Sequence, residues 1–234
     1  MNIAIIPARG GSKRILNKNI KLFNGIPMLT RTIKTALDTK IFSHVFVSTD
    51  SNSIASIAIE AGAQILGLRP EELSNDFAST ISVIKYEINR IDFVNNIQNI
   101  CCIYPCTPNL TPDDLISSFN VFKSVNLPFL YPVIKYSHPI QRAMTRSSPG
   151  KMKFISSDNE ISRTQDHQET YYDAGQYYWG AKESWINNSH IHSNGYGLIS
   201  DSIQFVDIDN EDDWKRAEFI FNFNKSNITQ PAGR

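Results

Sequence analysis

The chain has 234 residues, 41% of them apolar, enough for one full core without help from disulfides or structural metals. Its 23 Lys plus Arg balance 23 Asp plus Glu, so no net field favours nucleic acid or an anionic membrane, and any grip on phosphates has to come from a local cluster. The N-terminal apolar run stops at Ile6 and no stretch approaches the roughly 20 apolar residues that cross a bilayer, so a single cytoplasmic domain without signal peptide or anchor is expected.

In chain order, Asn2 to Ile6 predicts a short apolar strand. It runs into Pro7-Ala8-Arg9-Gly10-Gly11-Ser12-Lys13-Arg14, and Lys18-Asn19 follow in the same loop. Four cations, Arg9, Lys13, Arg14 and Lys18, fall within ten residues around a Gly-Gly turn whose N–H groups can converge on an anion. Neither Gly-x-x-x-x-Gly-Lys-Ser/Thr nor Gly-x-Gly-x-x-Gly is present. The loop is a phosphate cradle of another kind or a solvated basic loop. Met28 to Leu37 predicts a helix with Leu29, Ile33, Ala36 and Leu37 on one face, and His44 to Ser48 a second strand. Ser53 is placed to cap a helix with Ile54, Ile57, Ala58 and Ala61 inward, closed by Gly62, and Gln64 to Leu66 returns as a short strand. Ile81, Ile84, Ile88 and Ile91 mark the next helix, Asn99 to Tyr104 a strand, Pro112-Asp113-Asp114 the start of a helix to about Ser124, and Phe129 to Ile134 a strand. Strand–helix alternation of this length implies a mostly parallel sheet covered on both faces, with ligands at the carboxyl ends of the strands. Cys101, Cys102 and Cys106 lie on or just past one apolar run with no histidine at ligand spacing, and read as reduced core thiols.

Between about 135 and 171 the alternation breaks. Ile140 to Arg146 and Lys151 to Ser156 read as extended segments joined by Ser147-Ser148-Pro149-Gly150, a hairpin arm standing off the sheet or an ordinary surface excursion. Gln176 to Trp179 resumes the sheet, Lys182 to Asn187 is a short helix, and Gln204 to Ile208 is expected as the last strand. Asp207 and Asp209, two apart at its end, then point to one face while Val206 and Ile208 point into the opposite layer. Two hard oxygen ligands suit Mg²⁺, with Mn²⁺ as an alternative, the shell being completed by water and phosphate oxygens. Asn210 and Asp213 cap a final helix with Trp214, Ala217 and Phe221 inward. Glu211, Asp212 and Asp213 go to capping and solvent, and the tail from Lys225 is expected to fray. None of the five histidines has a nucleophile or metal partner at a recognisable spacing, and none is assigned to catalysis, although His138 is kept as a candidate substrate contact.

Ile6-Pro7-Ala8-Arg9-Gly10-Gly11-Ser12-Lys13 with Lys18-Asn19-Ile20, Arg69-Pro70-Glu71-Glu72-Leu73-Ser74-Asn75-Asp76, Tyr104-Pro105-Cys106-Thr107-Pro108 and Asp207-Ile208-Asp209 stand in the order of the sugar-acid (nonulosonate) cytidylyltransferases. The chain resembles that family over nearly its whole length. Lys13-Arg14-Ile15, Pro139-Ile140-Gln141-Arg142-Ala143 and the run Tyr172 to Gly180 are most similar to its pseudaminic acid branch. The resemblance implies an α/β, three-layer Rossmann-like nucleotidyltransferase fold with a mostly parallel sheet, an inserted dimerisation arm at about 135–171, and a homodimer. It implies transfer of CMP from CTP to the anomeric hydroxyl of a nonulosonic acid, with release of pyrophosphate and no nucleic-acid or membrane partner. Mg²⁺ on Asp207 and Asp209 would polarise the α-phosphate, while Arg9, Lys13 and Lys18 would offset charge on the departing phosphates. By the same match Ser12 and Asn19 bind phosphate or ribose, and Arg69, Ala78 and Thr80 frame the cytosine. Arg69 precedes Pro70, which holds its backbone extended.

The second substrate carries a carboxylate, so its pocket should combine a cation with amides and hydroxyls. Tyr104, Gln141, Arg142, Arg163, Gln165, Asp173, Gln176 and Tyr178 fit that description, with Arg163 and Gln165 sharing one face of an extended segment. Where the sialic acid branch shows Gln-Pro-Thr-Ser-Pro and Asn-Gly, this chain has Tyr104-Pro105-Cys106-Thr107-Pro108 and Asp173-Ala174-Gly175, which argues against sialic acid. Leu16-Asn17 also departs from the usual loop. Alternatives are a CMP-N-acetylneuraminate or CMP-legionaminate synthetase, a metal-dependent glycosyltransferase, and a CTP-binding module without turnover.

Overall fold

The computed structural model describes residues 1–156, 161, 163–201 and 204–228. β1 (Asn2–Pro7) has Ile3 to Ile6 buried on both sides, the mark of a central strand. A small hairpin of β2 (Leu22–Phe23) and β3 (Ile26–Pro27) leads into α1 (Met28–Asp38). There follow β4 (His44–Ser48), α2 (Asn52–Glu60), α3 (Thr80–Ile88), β5 (Asn99–Ile103), α4 (Pro112–Ser124) and β6 (Phe129–Lys135). After β6 come a second hairpin, β7 (Met144–Arg146) and β8 (Met152–Phe154), then β9 (Tyr171–Asp173), β10 (Tyr177–Ala181), α5 (Lys182–Asn187), β11 (Gly195–Ile199) and α6 (Glu211–Ile228).

The main sheet runs β11-β6-β10-β5-β1-β4, with β9 added to the far end of β6. The pairs β4–β1, β1–β5 and β6–β11 are parallel, whereas β10 runs antiparallel between β5 and β6. The sheet is therefore mixed and largely parallel. Side chains alternate across it. Ala4, Ile6, Val45, Val47, Cys101, Ile103 and Trp179 pack on α1, α2 and α4, while Ile3, Ile5, Phe46, Ile100, Cys102 and Tyr178 pack on α3 and α5. A third cluster seats α6: Trp214, Ala217 and Ile220 bury against Ile15, Phe23, Met28, Val206 and Ile208. Phe221 is partly buried there. Among the described residues no helix is long and apolar enough to cross a membrane.

Several local expectations are corrected. Helix α2 starts one residue after Ser51, and Ser53 lies inside it with its hydroxyl 2.8 Å from that of Ser51. Leu37 is 38% exposed, because the buried face of α1 runs through Met28, Leu29, Thr32, Ile33 and Ala36. Residues 64–66 contribute only a single bridge, Phe46 to Gln64. Residues 204–208 form no strand: Val206 and Ile208 are buried and Asp207 faces out as expected, but the segment has no ladder partner. The edge strand is β11, whose Gly195 and Gly197 disguise it as a turn. Backbone approach favours glycine there: a Cβ at 195 would lie 2.4 Å from Tyr131 Cε1, and one at 197 would sit tightly, 3.2 Å from Val133. The helix expected to end near Lys225 continues to Ile228, and residues 229–234 of the expected tail lie outside the described residues.

Candidate active site

The loop after β1, the segment from Arg69 to the first turn of α3, the residues after β5, and Asp209 ahead of α6 enclose a cleft of about 620 Å³. Arg9, Ser12, Lys13, Lys18, Asn19, Arg69, Ala78 and Thr80 all line it, together with Arg14, Asp76 and Tyr104. Each residue that the sequence directs at the nucleotide thus opens on one space at the carboxyl ends of β1 and β5.

The basic loop is held from below. Gly10 N–H donates to Asp50 Oδ1 at 2.7 Å, and a Cβ at this position would lie 3.2 Å from Ser51 Cβ. This corrects the expectation for the Gly-Gly turn: the Gly10 N–H is committed to the Asp50 carboxylate just past β4, where it anchors the loop, and is not free for a phosphate. Asn19 is nearly buried; its amide donates to Arg9 O at 2.8 Å and its carbonyl accepts from Cys106 Sγ at 3.3 Å. Burial pushes the Cys106 thiol up to about 12, so it remains protonated and able to donate. Cys101, Cys102 and Cys106 are all buried and unpaired.

Charges in the cleft are matched locally. Arg9 Nη1 and Lys13 Nζ both reach Asp76, at 2.7 Å and 2.8 Å, and hydrogen bonds from Lys13 and Arg9 hold that carboxyl below its ordinary range. Arg14 Nη2 meets Asp209 Oδ1 at 2.6 Å, and Lys18 Nζ donates to Ile208 O at 2.6 Å, between the two aspartates. Arg69 is 5% exposed; its Nε donates to Ser74 Oγ at 3.2 Å and its Nη1 to Ser48 Oγ at 3.4 Å.

Asp207 lies just outside this cleft, beside the φ +62° turn at Gly175, where a Cβ would stand 3.1 Å from the Asp207 Cγ. Its side chain reaches solvent, yet crowding by the surrounding chain and the charges of Asp209, Asp173 and Asp213 raise its carboxyl above the ordinary range, against Lys18. Asp213 is occupied as a cap, its Oδ2 accepting from Asp209 N and Asn210 N, while Asn210 Oδ1 accepts from Asp212 N and Asp213 N. Glu211 is exposed, as expected, and also pairs with Lys21. Among the described residues no group of three or more His, Cys, Asp or Glu side chains is set to hold a metal. The Asp207–Asp209 pair still fits a hard divalent cation that takes its remaining ligands from phosphate and water, because mutual repulsion at Asp207 is what such a cation would relieve.

A second cavity of about 470 Å³ is lined by Tyr131, Val133, Tyr171, Tyr172, Asp173, His192, Gly197 and Ile199. Tyr178 Oη donates to Asp173 Oδ2 at 2.6 Å, and His192 Nε2 stands 2.8 Å from the same oxygen. Tyr104, assigned to the sugar by sequence, opens instead on the first cleft, its hydroxyl 2.9 Å from Thr80 Oγ1. The Tyr104 and Tyr178 rings are 5.2 Å apart, and Tyr178, itself buried, reaches the second cavity only through its bond to Asp173.

The remaining sugar-directed residues are not brought together. Gln176 is buried, its Nε2 donating to Ala174 O and Val206 O, so it ties the turn before β10 to the acidic segment. Gln141 lies on a 3₁₀ turn, Ile140–Arg142, where an extended segment was expected. Arg163 precedes a second such turn, Thr164–Asp166, which contains Gln165; both side chains are exposed and no shared extended face exists. Sequence reasoning misses Asp76 and His192, for which spacing gives no signal: each meets its partners through loops distant in the chain.

A family profile described as Cytidylyltransferase matches residues 3–183. The chain is 34% identical to a pseudaminic acid cytidylyltransferase of Campylobacter jejuni, over 95% of this chain and 97% of that protein. It is 29% identical to an N-acylneuraminate cytidylyltransferase of Escherichia coli, over 92% of this chain and 51% of that one. Among solved structures it is similar in fold to a CMP:2-keto-3-deoxy-manno-octonic acid synthetase complexed with CTP, at TM-score 0.70 and 15% identity, over 95% of this chain and 99% of the other.

Proposed function

This chain belongs to the cytidylyltransferase family, and from that premise we propose that it transfers CMP from CTP to the anomeric hydroxyl of a nonulosonic acid, pseudaminic acid in the first place, with release of pyrophosphate. The observation that carries this reading is the single cleft onto which Arg9, Ser12, Lys13, Lys18, Asn19, Arg69, Ala78 and Thr80 all open, with Asp209 at its rim.

Arg69, Ala78 and Thr80 receive the base, and the loop after β1 receives the triphosphate. Arg9 and Lys13 exchange Asp76 for the β and γ phosphates, which places two cations where negative charge grows as pyrophosphate departs. Lys18 holds the backbone between Asp207 and Asp209, which supports a role for both carboxylates at the α-phosphate in this reading. Mg²⁺, when held by Asp207 and Asp209, supplies a positive charge that favours the attacking oxygen and the α-phosphoryl group. The sugar acid approaches from the side of Asp173, where carboxylate and imidazole accept and donate to hydroxyl or amide groups while Val133, Ile199 and the tyrosines cover apolar substituents. Relatives named for pseudaminic and N-acylneuraminic acids both align along this chain, and the higher identity lies with the former. The hairpin β7–β8 and the segment through Arg163 serve a homodimer and lean over the partner's sugar site; the exposed Met144, Met152 and Ile155 of the hairpin support this. The work is cytoplasmic, where CTP is found.

The test offers the purified protein CTP and Mg²⁺ with pseudaminic, legionaminic or N-acetylneuraminic acid while pyrophosphate is monitored. Release with pseudaminic acid foremost is expected. Release with another acid alone would move the substrate, and none with any acid would overturn the reading.

A further inference from the structure

Behind Arg69 lies a carboxyl that no step of the proposed reaction uses. Glu87, on the inner face of α3, is 2% exposed, and Ser48, at the end of β4, is 1% exposed. A fully buried carboxyl is costly unless its oxygens are satisfied. Here Ser48 Oγ donates to Glu87 Oε1 at 2.6 Å and Arg90 Nη1 reaches Glu87 Oε2 at 3.4 Å. Burial raises this carboxyl above its ordinary range, while the hydroxyl of Ser48 and the charges of Arg90 and Arg69 favour its ionised form.

The direction of the hydrogen bonds matters. A carboxylate only accepts, so the one proton of the Ser48 hydroxyl is committed to Glu87, and the serine oxygen faces Arg69 with lone pairs alone. Arg69 Nη1 donates to that oxygen at 3.4 Å, and Arg69 Nε donates to Ser74 Oγ at 3.2 Å. Two edges of the guanidinium plane are thereby pinned. Nη2, which has no hydrogen-bond acceptor among the described residues, is left to the cleft that Arg69 lines with Ala78 and Thr80.

We propose that Glu87 is a positioning residue for base recognition: acting through Ser48, it fixes the guanidinium of Arg69 so that its free N–H groups meet a ring edge that only accepts. In cytosine O2 and N3 both accept, whereas N3 of uracil carries a proton, so a fixed donor at this place separates the two bases. A side chain free to swing away would not. The inference rests on the cytidylyltransferase reading of the cleft and deepens it.

Binding of CTP and of UTP is to be measured by calorimetry for the wild type, Glu87→Gln, Ser48→Ala, Arg69→Ala and the Glu87→Gln/Arg69→Ala double variant. Glu87→Gln and Ser48→Ala are each expected to weaken CTP about tenfold, the scale of one charge-assisted hydrogen bond, and to leave UTP nearly unchanged. The KM for the sugar acid and kcat at saturating CTP should stay within about threefold, and Glu87→Gln should cost nothing further once Arg69 is Ala. If Glu87→Gln folds and keeps its preference for CTP, or loses CTP and UTP alike, the inference is overturned while the family reading stands. If it does not fold, Ser48→Ala is judged by the same two results, either of which overturns the inference. A wild-type protein that binds neither nucleotide overturns the inference together with the reading on which it rests.

Discussion

Arg14 Nη2 and Asp209 Oδ1 meet at 2.6 Å across 195 residues of chain. The pair lies at the rim of the first cleft, with side-chain exposures of 68% and 41%, so water screens it and little stability is at stake. On the proposed reading its importance is competitive: a guanidinium on Asp209 stands where the divalent cation of that reading would bind. Arg14→Ala is therefore expected to lower, by about two- to threefold, the Mg²⁺ concentration that half-saturates turnover. A titration of rate against Mg²⁺ at saturating CTP checks this, and an unchanged or higher requirement would count against it.

The carboxylates themselves should be far less tolerant. Asp207→Asn and Asp209→Asn are each expected to cut turnover by roughly 10²-fold or more, with the double variant losing less than the product because the two act as one unit. Steady-state kinetics at high Mg²⁺ provide the measurement, and near wild-type rates in either single variant would remove the pair from the mechanism.

Asp76 gives an opposite expectation. It engages both Arg9 and Lys13, so Asp76→Asn should release two cations for the triphosphate and lower the KM for CTP a few-fold, an effect that fades as salt is raised. Arg9→Ala should depress the rate of pyrophosphate release more than it raises that KM; a rise in KM alone would make Arg9 a ground-state clamp.

The arm is tested by mixing. Arg163→Ala and Asp209→Asn proteins, each inactive alone, are combined under conditions that exchange subunits. If Arg163 serves the partner's site, each mixed dimer holds one doubly damaged and one intact site, and activity returns. Continued inactivity after demonstrated exchange would assign Arg163 to its own chain.

Thiol chemistry offers a check on the core. Burial drives Cys106 up to about 12 and raises Cys101 and Cys102 as well, so all three stay protonated at neutral pH and out of reach of solvent. A thiol reagent should find none of them in the native protein and three in denaturant. Rapid native labelling would contradict this packing.

The helices and central strands are legible in the sequence because their apolar periods are strong, as in Ile3 to Ile6 and in Ile81, Ile84 and Ile88. The nucleotide-directed residues are legible as a group too, since most of them lie in two compact segments. Legibility fails where contacts join distant loops or where backbone approach decides the residue. Gly195 and Gly197 hide an edge strand, Val206 and Ile208 alternate like a strand but pack under α6, and His192 finds Asp173 only through the fold. Arg163 and Gln165 escape the expected geometry because period-two spacing says nothing once the backbone coils into a 3₁₀ turn.

Strand β10 runs against both of its neighbours, so the turn that precedes it, Asp173 to Gln176, emerges at the same end of the sheet as the loops that follow β1 and β5. On the proposed reading, the loops that receive the nucleotide leave their strands, whereas the turn that receives the acceptor enters one. The two halves of the site can accordingly drift apart in evolution: a descendant can retune what it accepts by changes between β6 and β10 and inherit the grip of the first loop unaltered.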